Sequence, residues 1–181
     1  MAKVYKRGNA ALFDIPIEAV QDRMASMLPW LDTIFGKCER ITVKDKDGRN
    51  VTFPAWYSEK KDYIKVMPDD RTLKNMAFFT LDDPARLLES GKYSIGFSAI
   101  IWGDMRRVTG ERNTEVVKAQ VLKALRVANP AIGSVRVNEI YENAESVWRG
   151  FTVNETDAHF MMHPFFAIRV NGTLYLNEVC R

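Results

Sequence analysis

The chain has 181 residues, 46% hydrophobic and 27% charged, a composition far from that of a disordered, collagen-like or membrane-spanning protein. A domain of this length buries roughly 70% of the surface of its unfolded chain, so its core requires neither disulfides nor a metal. With 26 Lys and Arg against 23 Asp and Glu, the net charge of +3 is too small to indicate a strong nucleic-acid footprint by itself.

The two cysteines indicate the redox environment. Cys38 and Cys180 lie far apart, neither belongs to a Cys-x-x-Cys pair, and no apolar signal segment precedes them. We therefore expect free thiols and synthesis in a reducing cytosol.

The N-terminal residues show little apolar pattern, which predicts a flexible arm over 1–13 followed by a single α+β domain over 14–181. Three basic residues lie in this arm: Lys3, Lys6 and Arg7.

The first helix begins at a clear start signal. Asp14 precedes Pro16, which combines a side-chain acceptor with a preset φ. Apolar residues then recur at the spacing of one helical face. They are Ile17, Val20, Met24, Met27, Leu28, Leu31, Ile34 and Phe35. Pro29 predicts a kink or break near Leu28, and Gly36 is expected to end the segment.

From Arg40 the period of the pattern changes from about four to two, which indicates strands. The turn residues of 45–48 predict a hairpin, and short strands are expected near 63–66 and over 76–81. A single helical turn is expected between Pro84 and Gly91.

The clearest strand is predicted over 92–105, and its second half is apolar on both faces, as in a central strand. A second helix over 114–128 begins at Asn113 or Thr114.

Two further strands are expected over 135–141 and 165–170. Asn171 and Gly172 predict a hairpin turn that leads into a last strand over 173–176. These elements together predict an α+β fold, in which two main helices pack on one face of a mostly antiparallel β-sheet.

His159 and His163 are four residues apart, with Glu155 and Asp157 just upstream. Such a pair shares a zinc ion when both histidines lie on one helix. Pro164 argues against a helix through His163, and no third ligand is specified, so we expect two loop histidines and no metal or other cofactor.

The acidic pairs Asp69-Asp70 and Asp82-Asp83 each lie beside a proline, which favours turn formation over acid-base catalysis. No serine or cysteine has a base and an orienting group at a suggestive spacing. We therefore predict no catalytic residues and a protein that is not an enzyme.

Arginines lie near tryptophans at two places. Arg106 and Arg107 follow the central strand, and Arg149 lies between Trp148 and Phe151. Such mixtures occur in protein interfaces and in single-stranded nucleic-acid sites. Alternatively, the two aromatic residues of the second group fold back onto the sheet.

The order of these elements resembles the tail-terminator and tail-completion, or head-to-tail joining, proteins of tailed bacteriophages. The resemblance extends from Asp14 to Leu176 without a diagnostic motif. Residues 93–102 are similar to the family's central strand, 114–128 to the helix behind it, and 135–141 with 165–170 to its closing strands.

The resemblance implies a structural virion protein, made in the bacterial host cytoplasm, that forms a homo-oligomeric ring, commonly a hexamer. Such a ring caps the tail tube and joins it to the head connector, in the tail or neck of the virion, with no membrane contact and no specific nucleic-acid ligand. The candidate interface residues are Arg106, Arg107, Trp148, Arg149, Phe151, Lys3, Lys6 and Arg7. The alternatives are a nucleic-acid-binding accessory protein and a small metal-dependent hydrolase.

Overall fold

The computed structural model describes residues 2–58, 62–82, 84–88, 91–108, 113–126, 128–129, 133–153 and 159–177. The strands are β1 (Lys3–Tyr5), β2 (Thr33–Lys37), β3 (Glu39–Lys44), β4 (Asn50–Tyr57), β5 (Tyr63–Lys65), β6 (Met76–Leu81), β7 (Arg86–Leu87), β8 (Lys92–Asp104), β9 (Ala128–Asn129), β10 (Gly133–Tyr141) and β11 (Phe165–Asn177). The helices are α1 (Asp14–Met27), α2 (Thr114–Leu125) and the short α3 (Ala144–Val147), with a 3₁₀ turn at Met105–Arg107.

The main sheet has eight strands in the order β1-β2-β6-β8-β11-β10-β9, and β7 pairs with β8 beside β6. The β1–β2 and β2–β6 pairs are parallel, and the other pairs are antiparallel. The predicted α+β class with a mostly antiparallel sheet is therefore confirmed.

Helices α1 and α2 cover one face of this sheet. Their apolar stripes pack against the inward residues of β8 and β11 in one core, and the indole Nε1 of Trp30 donates to Gln120 Oε1 at 2.9 Å. No helix in the described ranges is long and apolar enough to cross a membrane.

A second core lies on the opposite face, between the main sheet and a separate antiparallel sheet of β3, β4 and β5. It is rich in aromatic residues and includes Phe35, Trp56, Phe78, Trp102 and Trp148. Among the described residues, the small sheet and α3 cover only part of this face, and polar side chains line much of the rest.

Several expected elements are present. Asp45 Oδ1 accepts hydrogen bonds from the backbone N–H groups of Asp47 and Arg49 in the β3–β4 hairpin, and the Asn113 side chain caps α2 by accepting from Glu115 N. Helix α2 ends at Leu125, earlier than predicted, and β9 follows.

The first helix is shorter than the periodicity predicts. It ends at Met27, which confirms the predicted break near Leu28. The residues from Thr33 onward form β2, so the predicted continuation to Gly36 is wrong. Ile34 packs in the helix-side core and Phe35 in the opposite core. Because both faces of β2 are buried, its apolar residues also match a helical spacing by coincidence.

The start of the chain also differs from the expected flexible arm. Strand β1 pairs in parallel with residues 33–35 of β2, and the ring of Tyr5 stacks on Phe35 with 4.5 Å between ring centroids. Residues 3–5 therefore belong to the sheet. Asp14 lies in the first turn of α1 instead of capping it.

The helical turn expected between Pro84 and Gly91 is a strand in the described residues. Arg86 and Leu87 form β7, which pairs with Ser94 and Tyr93 at the start of β8. This pairing extends the sheet beyond the end of β6.

The predicted turn at Asn171 and Gly172 is also wrong. Both residues lie inside β11, which runs without interruption beside β8 from Phe165 to Asn177. β10 has an irregularity between Val137 and Glu139, opposite these residues. A Cβ on Gly172 would overlap the carbonyl oxygen of Arg136 and lie 2.6 Å from the Phe97 ring, so close packing explains this glycine.

We predict that Gly172→Ala lowers the free energy of unfolding by about 1 to 3 kcal/mol, because one of the clashing atoms is backbone and cannot swing aside. Denaturant titration followed by circular dichroism measures this change. The control is Gly36→Ala in β2, where the nearest atom to an added Cβ is Gln21 Oε1 at 3.4 Å. Equal stabilities of the two variants would contradict the prediction.

Candidate functional site

A polar depression occupies the part of the second sheet face that the small sheet leaves open. The strand register brings its residues together: Ser98 pairs with Thr80 on one side and Asn171 on the other, and Arg169 is the next residue of β11 on the same face. Asp82 follows the end of β6 and completes the group. We call Arg40, Asp82, Ser98, Arg169 and Asn171 the Arg169 cluster.

Arg169 is the centre of this cluster and is only 5% exposed. Its Nε donates to Ser98 Oγ at 3.1 Å and to Asn171 Oδ1 at 3.0 Å. One terminal nitrogen donates to the carbonyl oxygen of Arg149 at 3.0 Å, and the other to Ser98 Oγ at 2.7 Å. These hydrogen bonds hold the guanidinium in one orientation. Burial lowers the pKa of Arg169 below its usual value, and the nearby carboxylate of Asp82 offsets part of this shift.

The carboxylate of Asp82 is shared between two arginines. Its Oδ1 accepts from Arg40 at 2.5 Å and its Oδ2 lies 3.4 Å from Arg169, while the hydroxyl groups of Ser98 and Thr80 also donate to it. The Asp82 side chain is 25% exposed. One negative charge therefore faces two positive charges at the edge of the depression.

The main-chain turn after α3 positions Arg40. The Arg40 guanidinium carbon lies 5.7 Å from the centre of the Phe151 ring, in a cation–π arrangement. Gly150 has a φ of +88°, and a Cβ there would lie 3.6 Å from the guanidinium carbon of Arg40. The turn thus forms one wall against which this guanidinium packs.

Two adjoining cavities of about 370 Å³ each open onto this surface and share Asp82 and Asn171 in their linings. One is lined by Arg40, Arg149 and Arg169, with Tyr141, Ser146 and Gly150. Its only acidic lining residue in the described part of the chain is Asp82, so its ionised groups sum to a positive charge. The arrangement is suited to binding an anion.

The cluster is not arranged for nucleophilic catalysis. The Ser98 side chain is fully buried and is surrounded by its hydrogen-bond partners, so a substrate has no access to its hydroxyl group. Arginine stays protonated at all physiological pH values and does not act as a base. These groups hold charge and position hydrogen-bond donors.

The structure separates the residues of the predicted Trp148-Arg149-Phe151 contact. Trp148 is 2% exposed, and its ring centroid lies 6.2 Å from that of Phe78 in the second core. Phe151 also packs on Phe78, whereas Arg149 is exposed at the rim of the cavity. Trp148 and Phe151 thus fold back onto the main sheet within the chain, as the alternative interpretation expects, and an interface role for this group stays a prediction.

Arg106 and Arg107 are exposed beyond the far end of β8, away from the cluster. Arg106 lies in an ion pair with the buried Asp104 at 2.8 Å, and Arg107 donates to the carbonyl oxygen of Asp70 at 3.2 Å. The hydrogen-bonded guanidinium of Arg106 lowers the pKa of Asp104. Both arginines are thus engaged within the chain.

The basic residues of the N-terminal segment also have partners in the chain. Lys6 pairs with Asp22 at 2.6 Å, and Arg7 lies 3.9 Å from Asp14 and 3.5 Å from Glu39. Lys3 is exposed, with its Nζ 4.7 Å from the centre of the Tyr5 ring. These acids reduce the positive charge of the segment.

The histidines lie in a different region. His159 and His163 are exposed: His159 begins a short 3₁₀ turn at 159–161, and His163 follows that turn. Glu155 and Asp157 lie outside the described residues. Within the ranges that the structure describes, no three His, Cys, Asp or Glu side chains form a group that holds a metal ion.

Two other sequence features have structural roles. Partial burial raises the pKa of Asp69, but the backbone N–H groups of Thr72 and Arg71 donate to this carboxylate and hold its pKa below the usual value. This is the expected turn; Asp83 lies outside the described residues. Burial raises the pKa of the free thiol of Cys38, which disfavours the reactive thiolate, and Cys180 also lies outside the described residues.

Arg169, Ser98 and Asn171 are not among the site residues predicted from the sequence. A signal was present, because Ser94, Gly96 and Ser98 alternate with apolar residues along β8, as Arg169 and Asn171 do along β11. The pairing of these two distant strands could not be derived from the pattern.

The chain was compared with known proteins. No protein-family model matches its sequence, and the search of curated proteins found no significant relative.

Proposed function

We propose that this chain is a non-enzymatic structural subunit of a tailed phage, which forms a ring, commonly a hexamer, at the tail end or neck. In this role the ring caps the tail tube and joins it to the head connector. The observation that carries the proposal is that, among the residues the structure describes, the main sheet has an open strand edge at each end, and the two edges are different.

The first open edge belongs to β10. Its inner side pairs with β11 from Ser134 to Tyr141, whereas its outer side pairs with β9 only at Gly133 and Ser134. Residues 135–141 have no strand partner on the outer side within the described ranges. An exposed row of backbone donors and acceptors can pair with a strand of another chain.

The second open edge belongs to β1 at the opposite end of the sheet. β1 is a short strand that pairs in parallel with β2 and has no other strand partner in the described residues. Contacts between two unlike surfaces of identical subunits are heterologous, and they generate a closed ring when the rotation between neighbours closes. A pair of unlike edges supports this geometry.

The β3–β4 hairpin supplies a further surface. Residues 42–50 around its turn are exposed, and the exposed rings of Tyr57 and Tyr63 pack together at 5.1 Å near the base of the small sheet. Segments of this kind commonly form contacts on a partner protein. The hairpin is our candidate for contact with a tail-tube or connector protein.

Ile140→Lys tests the proposal. Ile140 is 39% exposed on β10, and lysine on an edge strand disfavours pairing with another strand. We expect the purified protein to show the mass of a ring by light scattering, either alone or after addition of tail tubes from the encoding phage. Electron microscopy is expected to show the wild-type protein at one end of the tubes. The Ile140→Lys variant is expected to show the mass of a monomer by light scattering.

The matched control is Met162→Lys, which adds the same charge at a residue that is 67% exposed and lies outside both edge strands. This variant is expected to assemble as the wild-type protein does. Identical masses for the wild-type and Ile140→Lys proteins would contradict the role of the β10 edge. A wild-type protein that stays monomeric and does not bind tail tubes would contradict the proposed function.

A further inference from the structure

The cavity between Arg40, Arg149 and Arg169 holds more positive charge than the described part of the chain neutralises. Asp82 forms ion pairs with Arg40 and Arg169, whereas Arg149 has no ion pair among the described residues. Like charges gathered around one partly buried cavity repel each other, and an added anion relieves this repulsion.

The donors are already oriented. Arg169 is held by hydrogen bonds to Ser98, Asn171 and backbone carbonyl groups, and Arg40 is held between Asp82 and the Phe151 ring. A binding site with immobilised donors loses little side-chain entropy when a ligand arrives. The cavity is therefore preorganised for an oxyanion.

The surroundings favour a carboxylate on a peptide over other anions. The adjoining cavity brings the polar groups of Ser94, Asn138 and Thr173 next to the arginines, and the combined space is too large for a single ion. Polar groups of this kind hydrogen-bond to the backbone of an extended peptide. The carboxylates of Asp82 and Glu139 line the same surface, so it offers one anion position between the arginines and not the continuous basic groove that follows a nucleic-acid backbone.

We propose that this surface binds an acidic segment of a partner protein, with one of its carboxylates held between Arg40 and Arg149 over the buried Arg169. The inference goes beyond ring formation, since the three arginines come from β3, β11 and the turn after α3, whereas ring formation uses the backbone edges of β1 and β10. β10 contributes only the side chains of Asn138, Glu139 and Tyr141 to the cavity linings.

Fluorescence anisotropy with labelled hexaglutamate tests the inference. We expect hexaglutamate to bind at low ionic strength at least about tenfold more tightly than hexaglutamine, and added salt to weaken its binding. The variant is Arg149→Gln, which is expected to weaken hexaglutamate binding by about tenfold. Because the Arg149 side chain is exposed, its thermal unfolding is expected to match that of the wild-type protein.

The control variant is Arg107→Gln, which removes the same charge from an exposed residue beyond the other end of β8. Its hexaglutamate affinity is expected to equal that of the wild-type protein. Undetectable hexaglutamate binding, or equal weakening in both variants, would overturn the inference. Tighter binding of inorganic phosphate or of labelled oligothymidylate, lost in Arg149→Gln, would assign the cavity to phosphate and overturn it as well.

Discussion

Replacing Arg169 with methionine is expected to lower the free energy of unfolding by about 3 kcal/mol. The substitution removes the charge that faces Asp82, and it removes one hydrogen-bond donor from each of the Ser98 hydroxyl group, Asn171 Oδ1 and the carbonyl group of Arg149. Unpaired buried polar groups carry the full cost of their desolvation. The expected loss lies at the lower end of the range for broken buried ion pairs, because Asp82 is partly exposed and keeps Arg40.

Equilibrium denaturation in urea measures this loss, with Arg149→Met as the matched control. Arg149 lines the same cavity but is exposed, so its replacement is expected to change stability by less than about 0.5 kcal/mol. In the double variant Arg169→Met with Asp82→Asn, the free energy of unfolding is expected to fall by less than the sum of the decreases in the two single variants, because the two side chains interact directly. Full additivity would contradict the proposed coupling.

Trp148→Ala is expected to destabilise the fold by about 3 to 5 kcal/mol, since it empties a large site in the second core. Trp148 is 2% exposed and packs beside Phe78. The same denaturation experiment measures the loss. A folded Trp148→Ala variant with wild-type stability and altered assembly would instead support an interface role for this residue.

Phenylalanine substitutions separate packing from hydrogen bonding at two tryptophans. The buried Nε1 of Trp148 has no hydrogen-bond partner in the described residues, whereas that of Trp102 donates to the carbonyl oxygen of Phe160 at 2.8 Å. Trp102→Phe is therefore expected to lower the free energy of unfolding by about 1 kcal/mol more than Trp148→Phe does. Equal costs would show that the Trp102 hydrogen bond adds no net stability.

These two residues also show where sequence reasoning succeeds and where it ends. Ile100 and Trp102 lie on one face of the predicted strand, and Ala99 and Ile101 lie on the other. This pattern predicts a central strand covered on both faces, and the second half of β8 is buried on both faces. Trp148 lies in an irregular segment after α3, where no periodic pattern indicates which side chains are inward. Only the packing of that segment against Phe78 distinguishes a core residue from an interface residue.

The predicted continuation of the first helix to Gly36 and the predicted turn at Asn171-Gly172 are wrong for related reasons. A strand buried on both faces has a nearly continuous apolar run, so β2 carries no period of its own. Asn-Gly is typical of hairpin turns, but here Gly172 occupies a place where the Arg136 carbonyl group and the Phe97 ring approach too closely for a Cβ. Local preference was overridden by neighbours that are distant in sequence.

The sequence by itself determined the α+β class, the β3–β4 hairpin, the central strand and the start of α2, because these depend on turn residues, caps and periodicity over a few positions. Tertiary structure alone decided that Trp148 is buried and that Arg40, Asp82 and Arg169 meet in one cluster. The physical reason is that strand order and register join β6, β8 and β11, which lie far apart along the chain. A buried arginine is stable only where those pairings place its partners.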